Sequence, residues 1–380
     1  MTTAPTSFKT DGFAHDPLPA STTRDLDEAT LRAYPVERCL DYGCSIDDVL
    51  KVQARVRGGA GWAVVCRQLA EDNLYRARSE QQHGRADRTA FFFLHAAACF
   101  RLEQSAQEAM PALRLRTYEH QCEAFSLGIQ CAEPGATFFE VAFKDARHSA
   151  WLFQPPEGAR PAPCVVVVGG ADGWCEAFHG SVPFYRSRGL AVCLLELPGQ
   201  GRARLRDGSL LAADFPRMVS ATLDALSQRG VQARRFGLVG HSLGGTLAIV
   251  AAHADERIAG CCTNGGSLDP ALGGAKYPRV LTRIARMTGG SEEQTVSLFE
   301  SMDLPHALRD MPGRLLCLQG GADLLMPDAD ARTLVSLRGE RHATLEYWPD
   351  GTHCNYNHAF ERNCVLGNWF ADVLAPVSSC

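Results

Sequence analysis

A chain of 380 residues, 46% hydrophobic and 21% charged, has the makeup of an ordinary globular protein able to bury a large core, as one big domain or two smaller ones. A net charge of −5 with no basic stripe excludes a nucleic-acid-binding surface. The longest apolar runs, such as Cys164 to Val168, are too short to span a bilayer. Residues 1–22, rich in Thr, Ser, Pro and Ala, predict a loose tail. Met1 to Pro19 has no cationic start followed by an apolar block, so no signal peptide is read and the expected compartment is the cytoplasm. Fifteen cysteines, odd in number and scattered, several inside apolar segments (Cys164, Cys193, Cys317), point to reduced buried thiols rather than a disulfide framework. The absence of a CxxC pair argues against a zinc site.

From residue 23 to 133 apolar positions recur every three or four residues, the spacing of helices that bury one face. Helices are expected at Ile46 to Val52, around Gly61 to Leu74, at Arg88 to Gln107 and at Pro111 to Phe125. The register changes near Ala136, and Phe138 to Phe143 with Ser149 to Phe153 reads as a strand pair. Strand and helix then alternate. Val165 to Val168, Ala191 to Leu195, Phe236 to Val239, Gly260 to Thr263, Arg314 to Leu318 and Thr344 to Tyr347 are strands. Leu211 to Arg229, Thr246 to Ala254 and Phe360 to Leu374 are helices between and after them. Such alternation means βαβ units, and therefore an α/β fold with a mostly parallel sheet over 134–380. A helical stretch at about 270–313 interrupts it, at a point that would overlie the C-terminal strand ends where open sheets bind ligands.

Gly240-His241-Ser242-Leu243-Gly244 spells G-x-S-x-G between an apolar strand and a helix. That context is a nucleophile elbow, a tight turn that lifts a serine Oγ clear of the sheet edge. A serine hydroxyl needs a base, and the base an orienting carboxylate, so Ser242 predicts a histidine and an acid later in the chain. Asp323, after an apolar strand and a glycine turn, fits the acid; Asp328 and Asp330 are local rivals better explained as helix-start residues. His353 fits the base, in the loop between the last strand and last helix, with His358 as its competitor. The oxyanion-hole donors are expected to be the backbone N–H of Leu243 and, from the Gly169-Gly170 turn, that of Ala171. Pro198-Gly199-Gln200-Gly201 lacks a G-x-G-x-x-G frame and reads as a loop near the active-site rim. The chemistry requires no organic cofactor and no metal, only a small-molecule substrate.

Several of these segments carry a family resemblance. Gly169-Gly170-Ala171-Asp172-Gly173, Leu197-Pro198-Gly199-Gln200-Gly201, the elbow, Gly260 to Gly266 and Asp350-Gly351-Thr352-His353-Cys354 together resemble a group within the α/β-hydrolases. That group includes the fermentation–respiration switch esterase-like proteins, 2,6-dihydroxypseudooxynicotine hydrolase and the fungal yellowish-green pigment hydrolases that shorten polyketide chains. The likeness is good from about 135 to 380 and looser before it. It implies an α/β-hydrolase core under an N-terminal helical cap, a substrate cleft between them, Ser242, Asp323 and His353 as the triad, and a homodimer. It also implies hydrolysis of a carbon–carbon bond beside a ketone, an ester bond being the alternative and non-hydrolytic lyase or cyclase chemistry a second one. Some relatives use an extra acid, for which Asp269 is the candidate here. The chain departs from the group in having Glu196-Leu197 where an Asp-Gly pair is common, and His241 where arginine is often seen.

Overall fold

A computed structural model of the protein describes residues 24–156, 161–270 and 278–375; the tail expected over the first 22 residues lies outside them. Six helices come first: α1 (Arg24–Ala33), α2 (Val36–Asp41), α3 (Ile46–Arg57), α4 (Trp62–Gln82), α5 (Ala86–Gln104) and α6 (Pro111–Ala132). Ser45 caps α3 by accepting the Asp48 N–H at 3.1 Å, and Pro111 opens α6 with its φ already helical. The three long helices α4, α5 and α6 pack in succession. Gly128 of α6 is needed there, because a Cβ would stand 2.7 Å from the Leu94 side chain of α5. Trp62 lies fully buried between these helices, its indole N–H donating to the Leu102 carbonyl at 2.6 Å. Arg67 and Glu103, both buried, form a two-pronged ion pair at 2.7 and 2.8 Å.

The sheet has eight strands in the order β1-β2-β4-β3-β5-β6-β7-β8. They are β1 (Thr137–Phe143), β2 (Ala146–Phe153), β3 (Ala162–Val168), β4 (Ala191–Leu195), β5 (Val231–His241), β6 (Ile258–Asn264), β7 (Arg314–Gly320) and β8 (Ala343–Trp348). The β1–β2 and β2–β4 pairs are antiparallel and every other pair is parallel. The all-apolar run of β3 follows from burial on both faces, as central parallel strands require. Its residues alternate between two cores. Val165 and Val167 join the core shared with the N-terminal helices and the last helix, whereas Cys164, Val166 and Val168 face the opposite one. The N-terminal helices thus share one continuous apolar interior with the sheet.

Helices α7 (Val182–Arg186), α8 (Gly201–Leu205), α9 (Pro216–Ser227), α10 (Leu243–Ala254), α11 (Pro278–Thr288), α12 (Glu292–Ser301), α13 (Leu304–Asp310), α14 (Asp328–Arg338) and α15 (Ala359–Leu374), with 3-10 helices at Cys175–Ser181 and His353–His358, complete the described elements. The helix expected from Leu211 begins only at Pro216: a proline fixes its first turn, and Leu211 and Phe215 are buried in the approach to it. The strand expected from Phe236 is longer, starting at Val231 and running to the elbow. The helical stretch after β6 forms α11 to α13, with residues 271–277 outside the described chain. Among the described residues no helix is long and apolar enough to cross a membrane, and the fourteen described cysteines are unpaired, eleven of them buried.

Candidate active site

β5 ends at His241 and α10 starts at Leu243, so Ser242 alone makes the turn between them. It does so at φ 56° and ψ −131°, a strained backbone position for a side chain with a Cβ. Close packing imposes that path. A Cβ at Gly240 would lie 1.9 Å from the Gly244 carbonyl oxygen, and one at Gly244 2.5 Å from that of Gly169. The Ser242 amide donates to the Asn264 carbonyl at 2.8 Å, fixing the turn to the next strand.

The fold brings Ser242, His353 and Asp323 into one hydrogen-bonded line. Ser242 Oγ is 2.9 Å from His353 Nε2, and His353 Nδ1 is 2.8 Å from Asp323 Oδ2. With Nδ1–H donating to the carboxylate, Nε2 is left to accept the serine proton. The other oxygen of Asp323 accepts the amides of Leu325 and Met326 at 2.8 and 3.0 Å, so the carboxylate cannot turn away. Burial disfavours a charged His353 ring, yet Cys354 and the Asp323 carboxylate outweigh it and hold the pKa well above the usual histidine value; the full charge on Asp323 is the cause with clear physical content. Cys354 and Asn355, next in the chain, both have positive φ (54° and 52°), which turns the backbone away immediately after the histidine.

Asp328 and Asp330 lie in the first turn of α14, where Asp330 accepts the Ser267 hydroxyl at 3.0 Å and the Leu268 amide at 3.2 Å. His358 pairs instead with Asp350 at 2.9 Å. The fold does not bring these three to Ser242. The amides of Ala171 and Leu243 have no acceptor among the described residues. Ala171 and Leu243 line, with Ser242, Ser267, Pro270, Val280, Ile284, Leu325 and Met326, a cavity of about 30 Å³; Asp269 is not among its described lining residues.

No family model matches the chain. In sequence it is 26% identical over 226 residues to 2,6-dihydropseudooxynicotine hydrolase of Paenarthrobacter nicotinovorans, covering 58% of this chain and 60% of that protein. It is 31% identical over 160 residues to the hydrolyase poxO of Penicillium oxalicum, covering 39% and 36%. The match thus spans about three-fifths or less of these curated relatives' own length. The crystal structure of 2,6-dihydroxy-pseudo-oxynicotine hydrolase superposes with a TM-score of 0.79 at 22% identity, over 89% of this chain and 95% of that one. The chain has the α/β-hydrolase fold.

The described lining of the cavity comes from the core loops and from α11, with none from the six N-terminal helices. Those helices reach the site indirectly. Asp172, one residue past Ala171, accepts from Arg283 of α11 at 2.8 Å and lies 3.5 Å from Arg38 of α2. Arg283 and Arg286 also hold Glu108, between α5 and α6, at 2.6 and 2.5 Å. Burial alone would raise the Asp172 pKa, but Arg283, Arg38 and Arg114 reverse that and keep the carboxyl below its usual range.

Three contributors escaped the sequence reading. Asn264 donates to His241 Nδ1 at 2.9 Å and to the Cys354 carbonyl at 3.0 Å, so one side chain ties the elbow to the histidine loop. Its position ending a strand beside the elbow strand was the available signal. Trp174 donates to the Ala171 carbonyl at 3.2 Å. Gln200, read as part of a rim loop, is wholly buried where α8 begins, its amide engaged with backbone groups of Leu197, Gly169 and Gly170.

Glu196, which precedes that loop, is also fully buried, and burial lifts its pKa from 4.5 to about 8. The native state therefore keeps a proton that the unfolded chain releases. Stability attributable to Glu196 is complete below pH 4.5, falls as pH rises, and is lost above about pH 8. Glu196→Gln should flatten that fall, by no more than a few kcal/mol, in urea titrations across the window. Parallel slopes for wild type and variant would disprove the assignment.

Proposed function

We propose that the chain is a serine hydrolase that attacks a substrate carbonyl and cuts a carbon–carbon bond beside a ketone in an aromatic or polyketide-type compound. The observation that carries the reading is the unbroken line of contacts from Ser242 Oγ through His353 to Asp323 at an elbow strained to expose the serine. The choice of bond leans on the resemblance to the nicotine-pathway and pigment hydrolases. Residues 23–133 would serve as the cap and 134–380 as the catalytic unit, with α11 to α13 as its inserted roof.

In the proposed reaction His353 takes the proton from Ser242 as Oγ bonds to the carbonyl carbon, and the Ala171 and Leu243 amides hold the oxyanion. Collapse of the adduct breaks the C–C bond, and the departing carbanion takes the proton from the imidazolium. Water, deprotonated by His353, then adds to the acyl carbon, the C–Oγ bond breaks to release the carboxylic acid, and Ser242 Oγ regains the proton from the imidazolium. Asp323 holds the imidazole in one tautomer throughout.

The deciding measurement compares an aryl 1,3-diketone with the corresponding aryl ester in heavy-oxygen water, with wild type and Ser242→Ala side by side. Diketone cleavage that puts heavy oxygen into the acid product and disappears in the variant is the expected result. Ester cleavage alone would sink the C–C reading and leave a carboxylesterase. Conversion without label in the acid would point to lyase or cyclase chemistry.

A further inference from the structure

Gln200 is wholly buried, and both ends of its amide are engaged. Oε1 accepts the Leu197 N–H at 2.9 Å, while Nε2 donates to the carbonyls of Gly169 at 2.7 Å and Gly170 at 2.9 Å. Only an NH₂ can face two carbonyls, so these partners settle which end of the amide is which.

In a trans peptide unit the C=O and the N–H that follows it point to opposite sides. A Gly170 carbonyl held toward Gln200 therefore turns the Ala171 N–H directly away from it, and the Gly169 carbonyl does the same for the Gly170 N–H. The turn so oriented lies against the elbow: a Cβ at Gly170 would be 3.0 Å from Ser242 Cβ and 3.2 Å from the Leu243 nitrogen. The Ala171 and Leu243 amides, both without an acceptor among the described residues, sit with Ser242 in one cavity wall. Two consecutive glycines have the least intrinsic preference for any one orientation, so their geometry must be imposed from outside. Trp174 holds the next carbonyl, that of Ala171, and nothing but Gln200 holds the two before it among the described side chains.

We propose that Gln200 is the positioning residue of the oxyanion hole, fixing the Gly169–Ala171 peptides so that the Ala171 amide is aimed at the developing charge before substrate arrives. It never touches the reacting atoms. The inference rests on the serine-hydrolase reading and adds a component to it. Loss of aim at one donor should lower kcat about 10²-fold with KM little changed, because the donor acts in the transition state rather than on the bound ketone.

The test uses wild type, Gln200→Leu and Gln200→Glu, whichever carbonyl probe wild type cleaves, and three reporters. Phenylboronic acid forms a tetrahedral adduct on a serine and places an oxygen where the oxyanion develops; benzamide is a planar, unreactive analogue; a fluorophosphonate reports Ser242 reactivity. The expected result is a parallel drop of about 10² in kcat, boronate affinity and labelling rate, with benzamide affinity within about twofold of wild type. Gln200→Glu should behave like Gln200→Leu, since a carboxylate oxygen would face two carbonyl oxygens and repel the turn. Unchanged kcat and labelling in folded variants would overturn the proposal. So would an equal loss for boronate and benzamide, which marks general disorder, or unfolding of both variants, which marks a purely structural role. A wild type that cleaves neither probe and resists the fluorophosphonate would instead overturn the serine-hydrolase reading itself.

Discussion

Alanine at Ser242 is expected to cut turnover by a factor on the order of 10⁶, and Asp323→Asn by about 10⁴, while binding of a planar substrate analogue stays near wild type. The difference between the two factors follows from their jobs. In the proposed reaction Ser242 forms the bond, whereas Asp323, which reaches Ser242 only through the ring of His353, selects the imidazole tautomer and supports the imidazolium. The two changes also separate in their pH dependence. A neutral His353 is required to accept the serine proton, and its pKa is raised, so the acid limb of wild-type kcat/KM should lie above pH 6.5. Removing the carboxylate charge takes away one support of the protonated ring, and in Asp323→Asn the limb should move to lower pH. Rates measured from pH 5 to 9 check both points. A limb that stays in place in the variant would mean that Asp323 does not hold the charge of the imidazolium, and an alanine variant within about a hundredfold of wild type would remove Ser242 as the nucleophile.

The largest single-residue loss of stability is expected at Glu103→Ala, at about 3–5 kcal/mol. Arg67 is 3% exposed at the side chain and Glu103 fully buried, so truncation strands a guanidinium among α4, α5 and α6. Burial raises the Glu103 pKa despite Arg67, which means that dehydration of the carboxylate is only partly offset by the pair. The double variant Arg67→Met, Glu103→Leu should therefore recover most of the loss, because neither charge then remains to be dehydrated. Urea midpoints decide this. A double variant as unstable as Glu103→Ala would show that the ion pair itself, rather than the avoidance of a lone buried charge, holds the helices together.

Local pattern carried most of what could be read in advance. The run around Cys164 to Val168 is apolar at every position because both faces of a central strand are covered, and a reader needs only that run to find it. That Ser242, Asp323 and His353 meet could be anticipated because each follows a strand at a turn rich in glycine, and chain order suggests the parts proposed for them. Gln200 could not be read the same way. Its role consists of contacts to carbonyls some thirty positions upstream, and backbone oxygens leave no mark on residue type. The same holds for Asn264, whose partners are a ring nitrogen 23 residues before it and a carbonyl 90 residues after it. The roof of the cavity was legible only as a helical interruption. That Val280 and Ile284, rather than the N-terminal helices, meet the space above Ser242 depends on how the α11 segment folds back.

The smallness of that space has a kinetic meaning. Among the described residues the space beside Ser242 is about 30 Å³, room for little more than a water or two, so in the proposed reading the wall that Val280 and Ile284 of α11 give it has to yield to a substrate. Arg283 on α11 is also the nearer countercharge of Asp172, which follows Ala171 in the chain. Displacing the helix would leave Asp172 paired with Arg38 alone among the described residues, one residue from the amide proposed to hold the oxyanion.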